Sequence, residues 1–398
     1  MEGFFTRKET ESISRPGGKT FSCVSCGLYK QCNSPRMKPF GNFKKGILNI
    51  GSVPDETDDK FGNPWQGKSG KLLERMYKKL GIDLFEDCLN TNAINCYSEK
   101  EPTNHNIDCC RKRILHVIEE YKPKVIVLFG MEAVTSLIGH RWKKDLGGIN
   151  KWRGWTIPDQ DFKTWICPTF HPSYIEESEN GAEEVIWKQD LNIATLLHLD
   201  KFPLYKEPRI EFICDLKVLK NIKDTFAFDY ETTGIKPHAA GHRIVSVAIA
   251  DSADHCYTFF LPNTKQERQP LIDLLEDESI GKIAQNMKFE DTWTKVRLRA
   301  TVKNWLWDTM LATHLLDNRP GVTGLKFQTY VQFGIVDYAS EISPYLESNN
   351  KNANALNRIF ELLELPGGRE KLLRYGGLDA IFEYRLAMLQ RNEIVLPF

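Results

Sequence analysis

Between residues 47 and 199, short apolar runs alternate with segments whose apolar positions recur at helical spacing. That alternation predicts a sheet covered by helices. Ile47-Leu48-Asn49-Ile50 reads as a strand running into a glycine turn, Lys124 to Gly130 as a buried strand, and Trp165 to Thr169 as another. A helix is expected from about Glu183 to Leu199. Residues 200–208 then carry two prolines among several charges, which marks a boundary. A second pattern follows: a strand at 225–231, a strand pair at 243–250 and 255–261, a helix at 265–277, a strand at 281–285, and mostly helix thereafter. The chain is therefore expected to form two α/β domains, residues 1–200 and 210–398, joined by a linker at 201–209.

Within the strand at 225–231, Asp229 and Glu231 stand two apart and so point to one face. Two acids aimed together from an apolar strand repel each other unless cations lie between them, and a pair of divalent metals is the common solution. Near the end of the chain, Tyr375 and Asp379 are four apart and share one face of a helix. Gly281 to Asp291 pairs a short strand with a polar turn and offers Glu290 or Asp291. Asp308 opens a helical pattern, where capping of the helix accounts for it better than metal binding. For Gly376 and Gly377, between Tyr375 and Asp379, the plainest alternative to a role in the motif is loose packing at a helix start.

Composition narrows the classes. The 398 residues are 41% hydrophobic and 27% charged, as in ordinary globular proteins, and no apolar run approaches the ~20 residues that cross a bilayer. Met1 to Lys8 leads into polar residues, so no signal peptide is expected and the compartment is cytoplasmic. Zero formal net charge excludes coating of nucleic acid by bulk charge. Local patches remain: Arg111-Lys112-Arg113, Arg141-Trp142-Lys143-Lys144 and Lys151-Trp152-Arg153, the last two mixing cations with aromatics. Eight of the ten cysteines lie in the first half. Without a secretory leader they suggest metal ligation rather than disulfides. Cys23 and Cys26, with Cys96 and either Cys109 or Cys110, could bind an iron–sulfur cluster or zinc.

The set Asp229-x-Glu231, Asn286-x-x-x-Glu290 and Tyr375-x-x-x-Asp379 resembles the three motifs of the 3′→5′ proofreading exonuclease of family A DNA polymerases, in its tyrosine subclass. Coverage is about 210–395. The resemblance implies an RNase H-like fold, with two Mg²⁺ or Mn²⁺ held by Asp229, Glu231, Glu290 and Asp379, and a water oriented by Tyr375. Glu290 departs from the family's usual aspartate, with Asp291 as the fallback.

In the first half, Gly51-Ser52-Val53-Pro54, Gly62 to Leu73, Thr91-Asn92 and His171-Pro172-Ser173 resemble family 4 uracil-DNA glycosylases. Coverage is about 20–199, and a parallel-sheet sandwich is implied. Cys23, Cys26, Cys96 and Cys110 would then ligate a 4Fe–4S cluster. Trp65 would stack on a flipped base, Asn92 would read its edge, and His171 would polarise its carbonyl. The family's acid is replaced by Ser52, which cannot serve as a base at neutral pH; Asp55, Glu56, Asp58 and Asp59 are the nearby acids.

Together the resemblances imply a metal-dependent 3′→5′ DNA exonuclease with a glycosylase-like DNA-binding domain. Single-stranded or frayed 3′ ends are the expected substrate and a separately encoded polymerase the expected partner, as in bacteriophage replication within a host bacterial cytoplasm. A bifunctional repair enzyme that also excises uracil, and a non-catalytic polymerase accessory factor, are the competing readings.

Overall fold

The computed structural model describes residues 21–394 except 143, 179–180, 349, 351 and 353. Met1 to Lys8 and Lys143 therefore lie outside the described residues. The chain divides into two compact units, one reaching Leu204 and taking in Tyr330–Val336, the other formed by Tyr205–Thr329 and the segment from Asp337 onward.

In the first unit, β1 (Ile47–Gly51), β2 (Cys88–Asn92), β3 (Val125–Phe129), β4 (Ile157–Asp159) and β5 (Thr164–Thr169) form a sheet of order β2-β1-β3-β5-β4. Four strands run parallel and β4 pairs antiparallel to β5. β1, β2 and β3 are buried along their whole length; β1 and β3 accordingly read as near-continuous apolar runs, whereas β2 buries Asn90, Thr91 and Asn92 and carries no such run. The helix expected at 183–199 is Gly181–Leu196, tightening into a 3₁₀ turn at Leu197–Leu199. Tyr330 joins this unit through its ring, stacked on Trp142, and its hydroxyl, which hydrogen-bonds Asp159.

In the second unit, β6 (Arg209–Phe212), β7 (Phe226–Thr232), β8 (Ile244–Ala250), β9 (His255–Phe260), β10 (Lys282–Ala284) and β11 (Trp305–Asp308) are ordered β11-β10-β7-β8-β9-β6. β7 pairs antiparallel with β8 and parallel with β10. Its alternation divides two layers. Phe226, Phe228 and Tyr230 enter one core with Leu271, Leu275 and Trp293. Ala227, Ala248 and Ala250 line the other, against Ala380 of the long helix Gly368–Glu393. Small residues bring that helix close to the sheet. The packing at Gly377 is tight rather than loose, since an added Cβ would lie 2.8 Å from Ile210 and 2.9 Å from Thr258. Among the described residues no helix is long and apolar enough to cross a membrane.

Candidate active site

The close approach of the long helix to β7 builds the acid cluster. Ligand oxygens of Asp229, Glu231 and Asp379 lie within 4.8 Å of one another. Asp229 is partly exposed, whereas Glu231 and Asp379 are buried. Burial, followed by the neighbouring Asp379 charge, raises Asp229 to about 7, against the opposing pull of Lys326. Glu231 is pushed well above the carboxylate range by burial and by Asp229 and Asp379. Glu290 is 3% exposed, and burial plus the Asp229 charge drives it up in the same way. One of its carboxylate oxygens is buried without a hydrogen-bond partner. Asp291 instead pairs with Lys295 at 2.6 Å.

Asp308 holds the turn that presents Glu290. It accepts from Met310 and Leu311 N–H at 2.9 and 3.2 Å, capping the helix Thr309–Leu316, and from Asn286 and Met287 N–H at 3.1 and 2.9 Å. Four backbone donors occupy its carboxylate, and Asn286 itself adopts a left-handed φ of 66°. The local motif reads as capping, but its reach across to the neighbouring turn is tertiary.

Three residues at the cluster were not anticipated. Lys326 forms an ion pair with Asp379, and the Tyr338 hydroxyl donates to the same oxygen at 2.5 Å. Glu383 is 2% exposed with an unpartnered carboxylate oxygen, and burial, then Asp229, raises it well above the carboxylate range. Its signal was present in sequence as a third position, four after Asp379, on the face of Tyr375. Lys326 and Tyr338 lie on separate segments and left none. Tyr375 is 9% exposed, and burial, then Asp379, keeps it a phenol. An all-oxygen set of crowded, incompletely partnered carboxylates fits hard divalent cations.

In the first unit Trp65, Asn92 and His171, the residues expected at a base pocket, gather at the carboxyl ends of β1, β2 and β5. A Cβ on Gly51 would lie 2.3 Å from Asn92 Oδ1 and 2.9 Å from the Trp65 ring. Trp65 stacks on His171 with centroids 5.6 Å apart, is only 6% exposed, and holds a left-handed φ of 65°. The Asn92 amide nitrogen and Trp65 Nε1 are buried without partners. His171 accepts from Ser173 N–H through Nδ1 at 3.2 Å, and desolvation lowers it to about 4. At neutral pH it is uncharged, with Nε2 as the ring's donor.

Three of the four acids near Ser52 accept backbone hydrogen bonds. Asp58 accepts from Gln66 N–H at 2.6 Å and Asp55 N–H at 3.3 Å, Asp59 from Asn33 and Ser34 N–H at 2.8 Å each, and Asp55 from Asp58 N–H at 2.7 Å. Glu56 is exposed on the helix Glu56–Phe61.

The thiols of Cys23, Cys26, Cys96, Cys109 and Cys110 line one pocket with Tyr29, Arg36, Asn95 and Arg113. A serine capping box at Ser22 and Ser25 fixes the helical turn Cys23–Cys26. Arg36 N–H donates to Cys96 Sγ at 3.3 Å and the Asn106 amide to Cys26 Sγ at 3.4 Å. Burial lifts Cys110 to about 11, with Cys26, Cys96 and Cys23 as the charges around it. Cys109 turns to Ser25 Oγ at 3.5 Å and His105 Nε2 at 3.6 Å. Lys151 and Trp152 of the basic, aromatic stretch approach each other, with Nζ 5.7 Å from the ring, but Trp152 is fully buried. Arg111 is tied into the fold by Ser136 and Asp108.

Taken together, the chain joins a unit with a convergent carboxylate cluster to a unit with a mainly parallel sheet and clustered thiols. It belongs to the uracil DNA glycosylase superfamily, matched over residues 38–191, and carries a 3′-5′ exonuclease domain of the DNA polymerase A type, matched over residues 212–362. Tyr375 and Asp379 lie beyond that second match. The type-4 uracil-DNA glycosylase of Saccharolobus solfataricus is 31% identical over 158 residues, 38% of this chain and 71% of that protein. The Thermotoga maritima type-4 enzyme is 29% identical over 192 residues, 48% of this chain and 95% of its own length. A DNA polymerase of Bacillus phage SP01 is 23% identical over 327 residues, 73% of this chain but 34% of the polymerase.

Proposed function

We propose that the protein removes nucleotides from DNA 3′ ends at Asp229, Glu231, Glu290 and Asp379, and that its glycosylase-like unit binds DNA without excising uracil. The observation that carries the first part is the gathering of three carboxylates within 4.8 Å, two of them buried. Bound divalent cations would supply Lewis acidity and neutralise the charge that develops on the phosphate. The four acids would hold those cations. Tyr375, kept protonated, acts as a hydrogen-bond donor that orients the attacking water and cannot serve as its base. Single-stranded or frayed 3′ ends suit a buried acid cluster, because a paired terminus would have to melt to reach it. The SP01 polymerase match spans more of this chain than either unit alone, which supports a replication role alongside a polymerase activity. The decisive assay is nucleotide release from 3′-labelled single-stranded DNA with and without Mg²⁺. Absence of Mg²⁺-dependent release sinks the reading.

For the first unit, the tip of the Trp65 ring packs beside Asn92 against Gly51, Asp58 and Asp59 are buried and held by backbone N–H groups, and Ser52 cannot do the work of a carboxylate base. Wild-type protein is therefore expected to leave DNA with an internal uracil intact after alkali. Ser52→Glu combined with Trp65→Phe is expected to bring cleavage above background. Alkali-labile sites produced by the wild-type protein would overturn this assignment in favour of a bifunctional repair enzyme.

For the cysteines, we propose a 4Fe–4S cluster on Cys23, Cys26, Cys96 and Cys110. The thiols of Cys23, Cys26, Cys96 and Cys110 line one pocket, and four thiolates are the donor set such a cluster takes. Protein purified without oxygen should be brown. Cys110→Ser should lose most of the visible absorption and Cys109→Ser should keep it; the reverse pattern exchanges the two ligands.

A further inference from the structure

Lys326 is placed where a cation site would least be expected to put a second positive group. Its ammonium contacts Asp379, one of the three convergent carboxylates. It lies 4.0 Å from the Tyr338 ring centroid and 4.2 Å from that of Tyr375. Tyr338 also donates to the Asp379 oxygen that Lys326 meets. The lysine is thus held by two aromatic faces and one carboxylate, beside the residue assigned to orient water. Its side chain keeps 21% exposure against 9% for Asp379. The stem can swing outward; the carboxylate cannot follow.

An ammonium and a divalent cation repel when both contact one carboxylate, so each weakens the other's hold on Asp379. The charge that would draw a lysine off such a site is a phosphate, and a strand entering the cluster brings phosphates. Resting on the exonuclease reading above, we propose that Lys326 is a positioning residue: it occupies Asp379 before a divalent cation loads, and it transfers to a backbone phosphate of the bound strand. Strand binding and cation binding then favour each other. Linkage makes that preference reciprocal.

The test measures Mn²⁺ affinity of the full chain by calorimetry, with and without a single strand whose 3′-terminal linkages are phosphorothioates. Wild-type protein is expected to bind Mn²⁺ roughly fivefold or more tightly with the strand present. Lys326→Met should bind Mn²⁺ several-fold more tightly than wild type without the strand, and the strand should then add little. Lys326→Arg should restore the strand effect, and Lys326→Gln serves if the methionine variant does not fold. Unchanged or weaker Mn²⁺ binding by Lys326→Met in the absence of the strand overturns the proposal, as does an undiminished strand effect. Asp379→Asn separates the two levels of failure. Loss of Mn²⁺ binding in that variant, with Lys326→Met indistinguishable from wild type, rejects the lysine's role alone. Equal Mn²⁺ binding by wild type and Asp379→Asn rejects the metal site itself and the proposal with it.

Discussion

Asp229→Ala is expected to lower Mg²⁺-dependent nucleotide release by at least about a thousandfold, a loss of roughly 4 kcal/mol of transition-state stabilisation. The size follows from the position. Asp229 sits in the interior of β7, paired opposite Ala248 of β8, so no other side chain can shift into its place without changing the register. Its carboxylate is one of three that converge, and its removal leaves Glu231 and Asp379 to share any cation. Folding should survive, because removing one acid from a crowded set relieves repulsion. Asp229→Ala is thus expected to melt at or above the wild-type temperature without metal while losing activity. Asp291→Ala, which removes only an ion pair with Lys295, should stay within about threefold of wild type. Comparable losses in the two variants would show that the acids have been assigned wrongly.

The metal-free protein is expected to be less stable at pH 8 than at pH 5.5, and Mg²⁺ or Mn²⁺ should remove most of that difference. The sign comes from the carboxylates. Asp229 is raised to about 7, and Glu231, Glu290 and Glu383 are raised well above their ordinary range, chiefly by burial. Unfolded carboxyls titrate near 4. Between pH 4 and 7 the folded state therefore holds more protons, so stability is fully present below about pH 4 and falls as pH rises through 7. Asp229 alone would contribute on the order of 2–4 kcal/mol to that fall, which is several degrees in melting temperature for a unit of this size. Divalent cations replace the missing protons and reverse the trend. Differential scanning calorimetry at the two pH values, with chelator and with metal, measures the effect. A melting temperature that rises with pH in chelator would contradict it. Glu383→Gln should shrink the fall in chelator, because that residue carries a buried carboxylate with an unpartnered oxygen.

The candidate site was legible where local periodicity carries side chains to one place. Alternation along β7 sends Asp229 and Glu231 to the face opposite Phe228 and Tyr230, and helical spacing aligns Tyr375 with Asp379. The strands that carry β1, β3, β5, β7, β8, β9 and β10 were visible as apolar runs. β2, β4 and β6 were not, because polar residues or a proline interrupt their apolar positions; β11 was read only as the start of the helix that Asp308 caps. The sequence had no means to show that Asp308 also grips the turn before Glu290, or that Lys326 and Tyr338 close on Asp379 from segments 53 and 41 residues away. Nor could it show the Trp65 ring lying on His171. What the sequence by itself determined is the chemistry available: paired acids on a strand, a tyrosine and an aspartate on a helix, and clustered thiols. Tertiary structure alone decided which of those groups share a space and what charge each can carry, because burial and neighbouring charges act through distance in the fold rather than along the chain.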